Sequence, residues 1–452
     1  MTLLRPDVCI VGSGSAGCVV ARRCSEMGLK TLVLERKPKG KIGEKVCGDE
    51  VSKSHFEATG INMPGPDEVS TTISGADIFP PSFDNELKVR GWDEFDGWTL
   101  DRKAFGQRLL REALDSGAKI KTRCHVSKPI IQGNNVVGVQ YKDLEDNSEK
   151  HVYSKLVIDA SGYPAAIRSN LEVDMVEPTI RKEDVALCYR EILKLRMPLA
   201  EPHVARVFLG SSIAPQGYAW IFPKDRQIVN AGIGITGGRK SESPRKYFEE
   251  FKDNYPLLSG SEVLTGAGGA VPVRRPVHSL VAGGVAFVGD AALQVNPIHG
   301  GGIGPGMRAG IVLGEVAKMA IACQDLSAAG LWQYNLRYQR NYGKRLASLE
   351  IFRRLLENVT DEEMDFGFEK RLLTAEDLMS ANRGEGFSIG IYDKLKRFFR
   401  GVSKIGLLRR IQKAAKLMKE MQDAYRAYPA HPEDLEVWET QISEILEDAA
   451  FE

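Results

Sequence analysis

The chain has 452 residues and a formal net charge of +1, with 61 Lys+Arg against 60 Asp+Glu. That balance gives no global attraction to nucleic acid. Hydrophobic content of 43% and charged content of 27% suit a globular protein of two or three domains. The seven cysteines form no CxxC pair, which points to a reducing compartment without disulfides and argues against zinc or an iron–sulfur cluster.

The first elements are the most informative. Val8-Cys9-Ile10-Val11 reads as a buried strand, followed by Gly12-Ser13-Gly14-Ser15-Ala16-Gly17, and Glu35 closes the next apolar run, Thr31 to Leu34. Strand, GxGxxG turn, helix and an acid about twenty residues on form the dinucleotide-binding fingerprint. Gly12 permits the tight turn, Gly14 the close approach of pyrophosphate, and Gly17 the packing of helix on strand. Glu35 can accept hydrogen bonds from ribose hydroxyls, and the helix N-terminus favours phosphate. Further on, Asp101 is a good N-cap for a helix that runs to Ser116 and stops at Gly117. Val136–Tyr141 and Glu149–Ser154 predict a hairpin. Leu156-Val157-Ile158 is another buried strand, ending in Asp159-Ala160-Ser161-Gly162. Residues 185–275 alternate apolar and polar, which predicts a sheet-rich second domain.

Val285 to Val288 returns to buried strand, and Gly289-Asp290 follows it. The stretch Asn296 to Ile303 is Gly-rich and opens a long helix. An Asp here can bind a sugar-alcohol chain, and the helix N-terminus at Gly302 and Ile303 can stabilise negative charge on a reduced ring. A cofactor needing an ADP site and a distant polyol-plus-ring site is FAD rather than NAD. Gly232 to Gly237 also spells GxGxxG, but no helix opens at its third glycine. It reads as a Gly-rich strand, so no separate nicotinamide domain is expected and the electron donor is a transient visitor.

These motifs resemble the glutathione-reductase-like FAD fold, and within it the geranylgeranyl reductases, especially the archaeal enzymes that saturate the isoprenoid chains of membrane lipids. The specific signatures are Cys47-Gly48-Asp49, the stretch Pro215 to Pro223, which matches PxxYxWxFP at every fixed position, and the 289–303 segment. The resemblance implies FAD contacts at Ala16, Glu35, Arg36, Cys47, Gly48, Glu50, Arg102, Val126, Asp290, Gly302 and Ile303, joining Gly12, Gly14 and Gly17 of the fingerprint. It implies an α/β fold with a Rossmann-type FAD domain (1–60, 95–170 and 276–330), an antiparallel-sheet substrate domain (61–94 and 171–275) and a C-terminal helical domain (331–452). The implied activity is saturation of geranylgeranyl C=C bonds, with NAD(P)H or ferredoxin as the external reductant. Two rivals stay open: a flavin monooxygenase or halogenase, and an electron-transfer flavoprotein without substrate chemistry. Relatives of the latter carry a cysteine cluster that this sequence lacks.

Tyr218, Trp220 and Phe222 recur at period two, so on a strand they share one face. They either line a groove for an apolar chain or form a core stripe, and the resemblance favours the substrate groove. Cys47 alone among the cysteines lies in a Gly-Asp loop. In the related reductases this cysteine lies by the flavin ring, so the resemblance makes Cys47 the catalytic candidate: a thiol that stays protonated near neutral pH can donate a proton to the alkene, or it shapes the pocket while an ordered water is the acid. His299 reads as structural.

From Gly304 onward helical spacing dominates. Residues 394–419 carry ten basic and no acidic side chains interleaved with apolar ones, whereas the chain beyond Pro429 is acidic. Such a helix lies on a membrane surface or docks against the acidic tail. Asp7 breaks up any signal peptide and no apolar run reaches the ~20 residues that span a bilayer. The expectation is a cytoplasmic protein, at most peripheral to the inner face of the cell membrane.

Overall fold

The computed structural model describes residues 5–93, 96–237, 243–372, 374–376, 379–380 and 405–451. Val8–Val11 is buried along its whole length, as a strand covered on both faces must be. It pairs in parallel with Thr31–Leu34 on one side and Leu156–Asp159 on the other. Val285–Phe287 then joins Leu156–Asp159, also in parallel. Lys119–Lys121 and Val281–Ala282 complete a six-stranded sheet. The fingerprint residues thus emerge at the carboxyl ends of the central strands, where open α/β sheets bind ligands.

The capped helix forms as the sequence predicts. It spans Arg102–Asp115, and the Asp101 side chain accepts from the Ala104 amide at 2.9 Å. The hairpin is present too, but Asn135–Asp143 gains a second antiparallel partner, Cys124–Gln132. Val126 on that added strand is buried in the core shared with the six-stranded sheet.

A seven-stranded sheet draws its strands from 75–90 and 185–272. Its spatial order is Glu262–Pro272, Val185–Lys194, Ile228–Thr236, Tyr218–Pro223, Val204–Leu209, Gly75–Phe79 and Leu87–Arg90. The second GxGxxG lies inside this sheet, as its alternation implies: Gly232 pairs opposite Trp220. A Cβ at Gly232 would stand 2.4 Å from the Trp220 indole, so glycine there makes room for the ring. One helix, Pro244–Asn254, covers this sheet through Phe248 and Phe251.

Helix Ile303–Ala322 crosses Ser15–Glu26 closely. A Cβ at Gly306 would lie 3.1 Å from the Ala16 methyl, and one at Gly310 3.0 Å from a Val19 methyl. This seam ties the two halves of the predicted cofactor site together. Helix Lys344–Leu356 follows, and buried ion pairs from Arg353 to Asp184 (3.0 Å) and from Glu350 to Arg275 (3.1 Å) anchor it to the sheet domain, while Glu350 also pairs with Arg354 within the helix (2.9 Å). Residues 394–404 of the basic stretch lie outside the described residues. The remainder is in helix Ile405–Arg426, whose Leu407, Ile411, Ala414, Met418, Met421 and Tyr425 are buried. That apolar face is already occupied by the protein, packing with Lys344–Leu356 and the final helix Leu435–Asp448, where Trp438 donates to the Ala424 carbonyl at 2.9 Å. Arg409, Lys413, Lys416 and Lys419 face solvent. Among the described residues no helix is long and apolar enough to cross a membrane.

Candidate active site

One cavity of about 1810 Å³ runs through the molecule, well above the roughly 300–1,000 Å³ of a single small-ligand pocket. Its first arm lies at the carboxyl ends of the parallel strands. Gly12 has φ +98°, and a Cβ there would sit 2.5 Å from the Ala160 carbonyl oxygen, while one at Gly17 would sit 2.1 Å from the Gly12 oxygen. Gly17 therefore faces the strand–helix packing and does not line the cavity, whereas nothing lies within 4 Å of a Cβ at Gly14. Glu35 is oriented by Ser13, whose amide and hydroxyl donate to it at 2.8 and 2.7 Å, and by the Lys37 amide at 2.7 Å. Arg36, Val126 and Ala16 line the same arm.

Arg102 reaches from its helix start toward the first helix, with Nη2 3.4 Å from the Ser15 hydroxyl. Its Nε and Nη1 are buried without a hydrogen-bond partner. Buried guanidinium N–H groups left unpaired are costly, and an anion at the helix N-terminus would satisfy them. Asp290 pairs with Lys45 at 2.7 Å, and its Oδ1 lies 2.9 Å from where a Cβ of Gly302 would be. Gly302 caps the helix that begins at Ile303, and both residues line the cavity. An open glycine turn, an oriented acid, an unpaired guanidinium and a second acid at a second helix N-terminus fit the parts of FAD.

The middle of the cavity joins this arm to the aromatic strand. Tyr218, Trp220 and Phe222 all line it, with successive ring centroids 5.7 and 6.1 Å apart. The Tyr218 hydroxyl donates to the His299 carbonyl at 2.7 Å. Cys47 is half-buried on a loop that also lines the cavity and accepts from the Asp49 amide at 3.3 Å through its sulfur. A Cβ at Gly48 would come within 2.8 Å of the Phe222 ring, so the Cys47 loop lies directly on the aromatic strand.

Three participants were not singled out from the sequence, or not for this role. Asn230, fully buried, clamps the loop to the strand: Nδ2 donates to the Cys47 carbonyl (2.7 Å) and to Asp49 (3.0 Å), and Oδ1 accepts from the Trp220 indole (3.2 Å). Cys188 lines the cavity, and burial followed by the nearby Cys47 pushes its thiol up to about 12. Glu50, named above only as a cofactor contact, faces the same space, and burial alone pushes its carboxyl up to about 7. Burial also raises the Tyr218 phenol, helped by Cys188, Glu50 and Cys47.

The far arm is mainly apolar, walled by Leu349, Phe352, Leu356, Phe368, Met379 and Ile411, with Arg353, Glu357, Glu363 and Arg371 also on the cavity lining. It runs from the aromatic strand into the helical region. Among the described residues no cluster of His, Cys, Asp and Glu could hold a metal ion.

Residues 184–271, which hold the aromatic strand and Asn230, match the family model described as geranylgeranyl reductase catalytic domain. Over 448 residues the chain is 34% identical to digeranylgeranylglycerophospholipid reductase of Sulfolobus acidocaldarius, covering 99% of this chain and 98% of that protein. It is 32% identical to digeranylgeranylglycerophospholipid reductase 1 of Methanococcoides burtonii, over 79% of this chain and 86% of that one. In fold it is similar to a geranylgeranyl bacteriochlorophyll reductase-like protein of Thermoplasma acidophilum, with TM-score 0.76, 24% identity, and 91% and 100% of the two chains covered. It is also similar to a myxobacterial chondrochloren halogenase, a variant of FAD-dependent halogenases, with TM-score 0.63, 18% identity, and 86% and 95% covered. The chain belongs to the digeranylgeranylglycerophospholipid reductase family.

Proposed function

We propose that this protein is an FAD-dependent reductase that saturates C=C bonds in the geranylgeranyl chains of prenyl lipids, on a glutathione-reductase-like scaffold divided as the sequence suggests. The observation that carries the reading is the continuity of one cavity from the glycine turn and Asp290, past Cys47 and the aromatic strand, into an apolar arm. A dinucleotide and an extended prenyl chain fit the two arms, and they meet at the Cys47 loop.

Gly12, Gly14, Glu35 and Arg102 would hold the ADP half of FAD, and Asp290, Gly302 and Ile303 the other half. When bound, FAD supplies the electron pair. The chain's own residues bind the alkene, exclude water and provide the proton. Tyr218, Trp220 and Phe222 form a dry wall against which a flat trisubstituted alkene can lie. Cys47 presents its thiol to that wall, its sulfur held in place by the Asp49 amide. Glu50, with its carboxyl at about 7, is matched to proton transfer near neutral pH and is the residue that would restore the proton. The external reductant, NAD(P)H or ferredoxin, reaches the site without a dedicated domain. Contact with the inner face of the cell membrane would use the solvent-facing basic residues of 405–419, since the apolar face of that helix is packed inside.

Incubating the chemically reduced holoprotein anaerobically with digeranylgeranylglyceryl phospholipid tests the reading. The expected product gains one hydrogen pair for each bond saturated. No hydrogen gained anaerobically, with hydroxylation or halogenation in a parallel incubation under oxygen, would refute it.

A further inference from the structure

Beside the flavin-side loop the cavity wall changes character. Arg345 and Tyr342 line it with His55 and His299, and Arg308 stands behind them. The Arg308 guanidinium lies over the Tyr342 ring at 5.0 Å, donates from Nε to His55 Nδ1 at 3.3 Å, and donates from Nη2 to the Ser54 carbonyl at 3.1 Å. The Arg345 guanidinium lies over the same ring at 5.4 Å, and its Nε is buried without a partner.

What separates these two arginines from their neighbours is the missing acid. On the same helix Arg353 pairs with Asp184 and Glu357, and Arg354 with Glu350. Among the described residues neither Arg308 nor Arg345 has a carboxylate partner, and the charges that act on Arg308 are Arg345 and two tyrosines. Two guanidiniums gathered at one wall of a cavity repel each other, an arrangement that an anion converts into a favourable one. The wall is also locally unusual in its backbone. Tyr342 sits in a single π-helical turn, Gln339–Gly343, inserted between two α-helical segments. Such turns cost regular hydrogen bonding and cluster at functional positions. Burial and the arginines hold His55 down to about 3 and His299 to about 4, so both rings are neutral at pH 7. The fixed positive charge comes from the arginines alone.

We infer that Arg345, backed by Arg308 and framed by Tyr342 and His299, is the subsite for the phosphoryl head of the prenyl substrate. The inference rests on the reading of the cavity as a prenyl-lipid site. It adds that the head is held beside the Tyr218–His299 contact while the chain runs past the aromatic strand into the apolar arm. Arg345 is therefore a specificity-determining residue that distinguishes a phosphorylated chain from its alcohol.

Calorimetric binding of geranylgeranyl phosphate and of geranylgeraniol to the FAD-loaded protein provides the test. In wild type the phosphate should bind more tightly than the alcohol. R345Q should weaken the phosphate roughly ten- to hundredfold, the range expected for hydrogen bonds to a charged group, and leave the alcohol within about twofold. R345K, which keeps the charge but loses the fork, should fall between and guards against a misfolded R345Q. Retained flavin absorbance and circular dichroism establish folding. Equal weakening of both ligands, or no wild-type preference for the phosphate, would overturn the subsite. So would inorganic phosphate binding as tightly as geranylgeranyl phosphate, because the site would then serve a free anion. Reduction of the bound chain is followed separately. Binding that behaves as expected without reduction counts against the proposed reaction and leaves the subsite standing.

Discussion

Replacing Asn230 by leucine removes the buried side chain that hydrogen-bonds both the aromatic strand and the Cys47 loop. Three hydrogen bonds are lost. The Cys47 carbonyl lies on a half-buried loop beside the cavity, where water can replace the bond, and Asp49 keeps Lys224 at 3.3 Å. The Trp220 indole N–H, on a side chain that is 6% exposed, has no such substitute. Stranding it costs about 1–3 kcal/mol, and losing the bond to the buried Asp49 adds about 1 kcal/mol, so N230L should lose roughly 2–4 kcal/mol. Unfolding entropy of about 2.1 cal/mol/K per residue over this chain makes 1 kcal/mol worth about 1 °C. The expected drop in Tm is therefore only about 2–4 °C, measured by differential scanning calorimetry of the holoprotein. The functional loss should be far larger than so small a drop suggests, because the loop and the strand lose their register: alkene reduction should fall at least tenfold with flavin content unchanged. N230D, which keeps the acceptor for Trp220 but sets a second carboxylate against Asp49, should lower activity in the same way. Full activity in N230L, or a Tm within 1 °C of wild type, would refute the clamp.

Other perturbations separate the remaining roles. Burial favours the neutral form of Glu50, so the folded protein keeps that proton up to about pH 7, above the ordinary value of about 4.3. Stability from this group is complete below about pH 4 and declines as pH rises through 7. The rate of reduction should fall above about pH 7, and E50Q should be slow with that limb gone. A limb that persists in E50Q assigns the titration elsewhere. R102Q should weaken FAD binding roughly ten- to hundredfold without unfolding the protein, read by flavin fluorescence on dilution, and unchanged retention would show that the unpaired guanidinium serves no phosphate. C47A should keep FAD and accept electrons yet form little product, and near-normal product would leave the thiol a packing residue.

The parts of this site that could be read from the sequence are those whose chemistry is local. The glycine turn and Glu35 lie within one βαβ unit, Asp101 caps its own helix, and Tyr218, Trp220 and Phe222 declare their common face by period two. What could not be read depends on residues brought together from far apart. Asn230 sits in an apolar run that looks like strand core and beside a second GxGxxG that attracts the wrong interpretation. The weakened acidity of Glu50 is a property of its burial, which only the assembled cavity supplies. Arg308 and Arg345 belong to different helices, and their shared lack of carboxylates is visible only in three dimensions. The strand Cys124–Gln132 escaped because Pro129 interrupts it, although Pro is tolerated near a strand's irregular pairing, and the register does shift on its partner between Gln140 and Tyr141.

The spatial order of the six-stranded sheet has a consequence for how the protein is made. The strand bearing the glycine turn leaves the ribosome first, but Leu156–Asp159, its neighbour, and Val285–Phe287 beyond it arrive much later. The helix whose glycines seat it against Ala16 comes later still. At about 5–20 residues per second, the opening βαβ segment waits some tens of seconds for the last of these partners. During that interval its strand edges are open and it holds only part of the nucleotide cradle. A cradle completed by the later strands and helix cannot close around a nucleotide before they arrive, and until then the open strand edges are exposed to pairing with other chains.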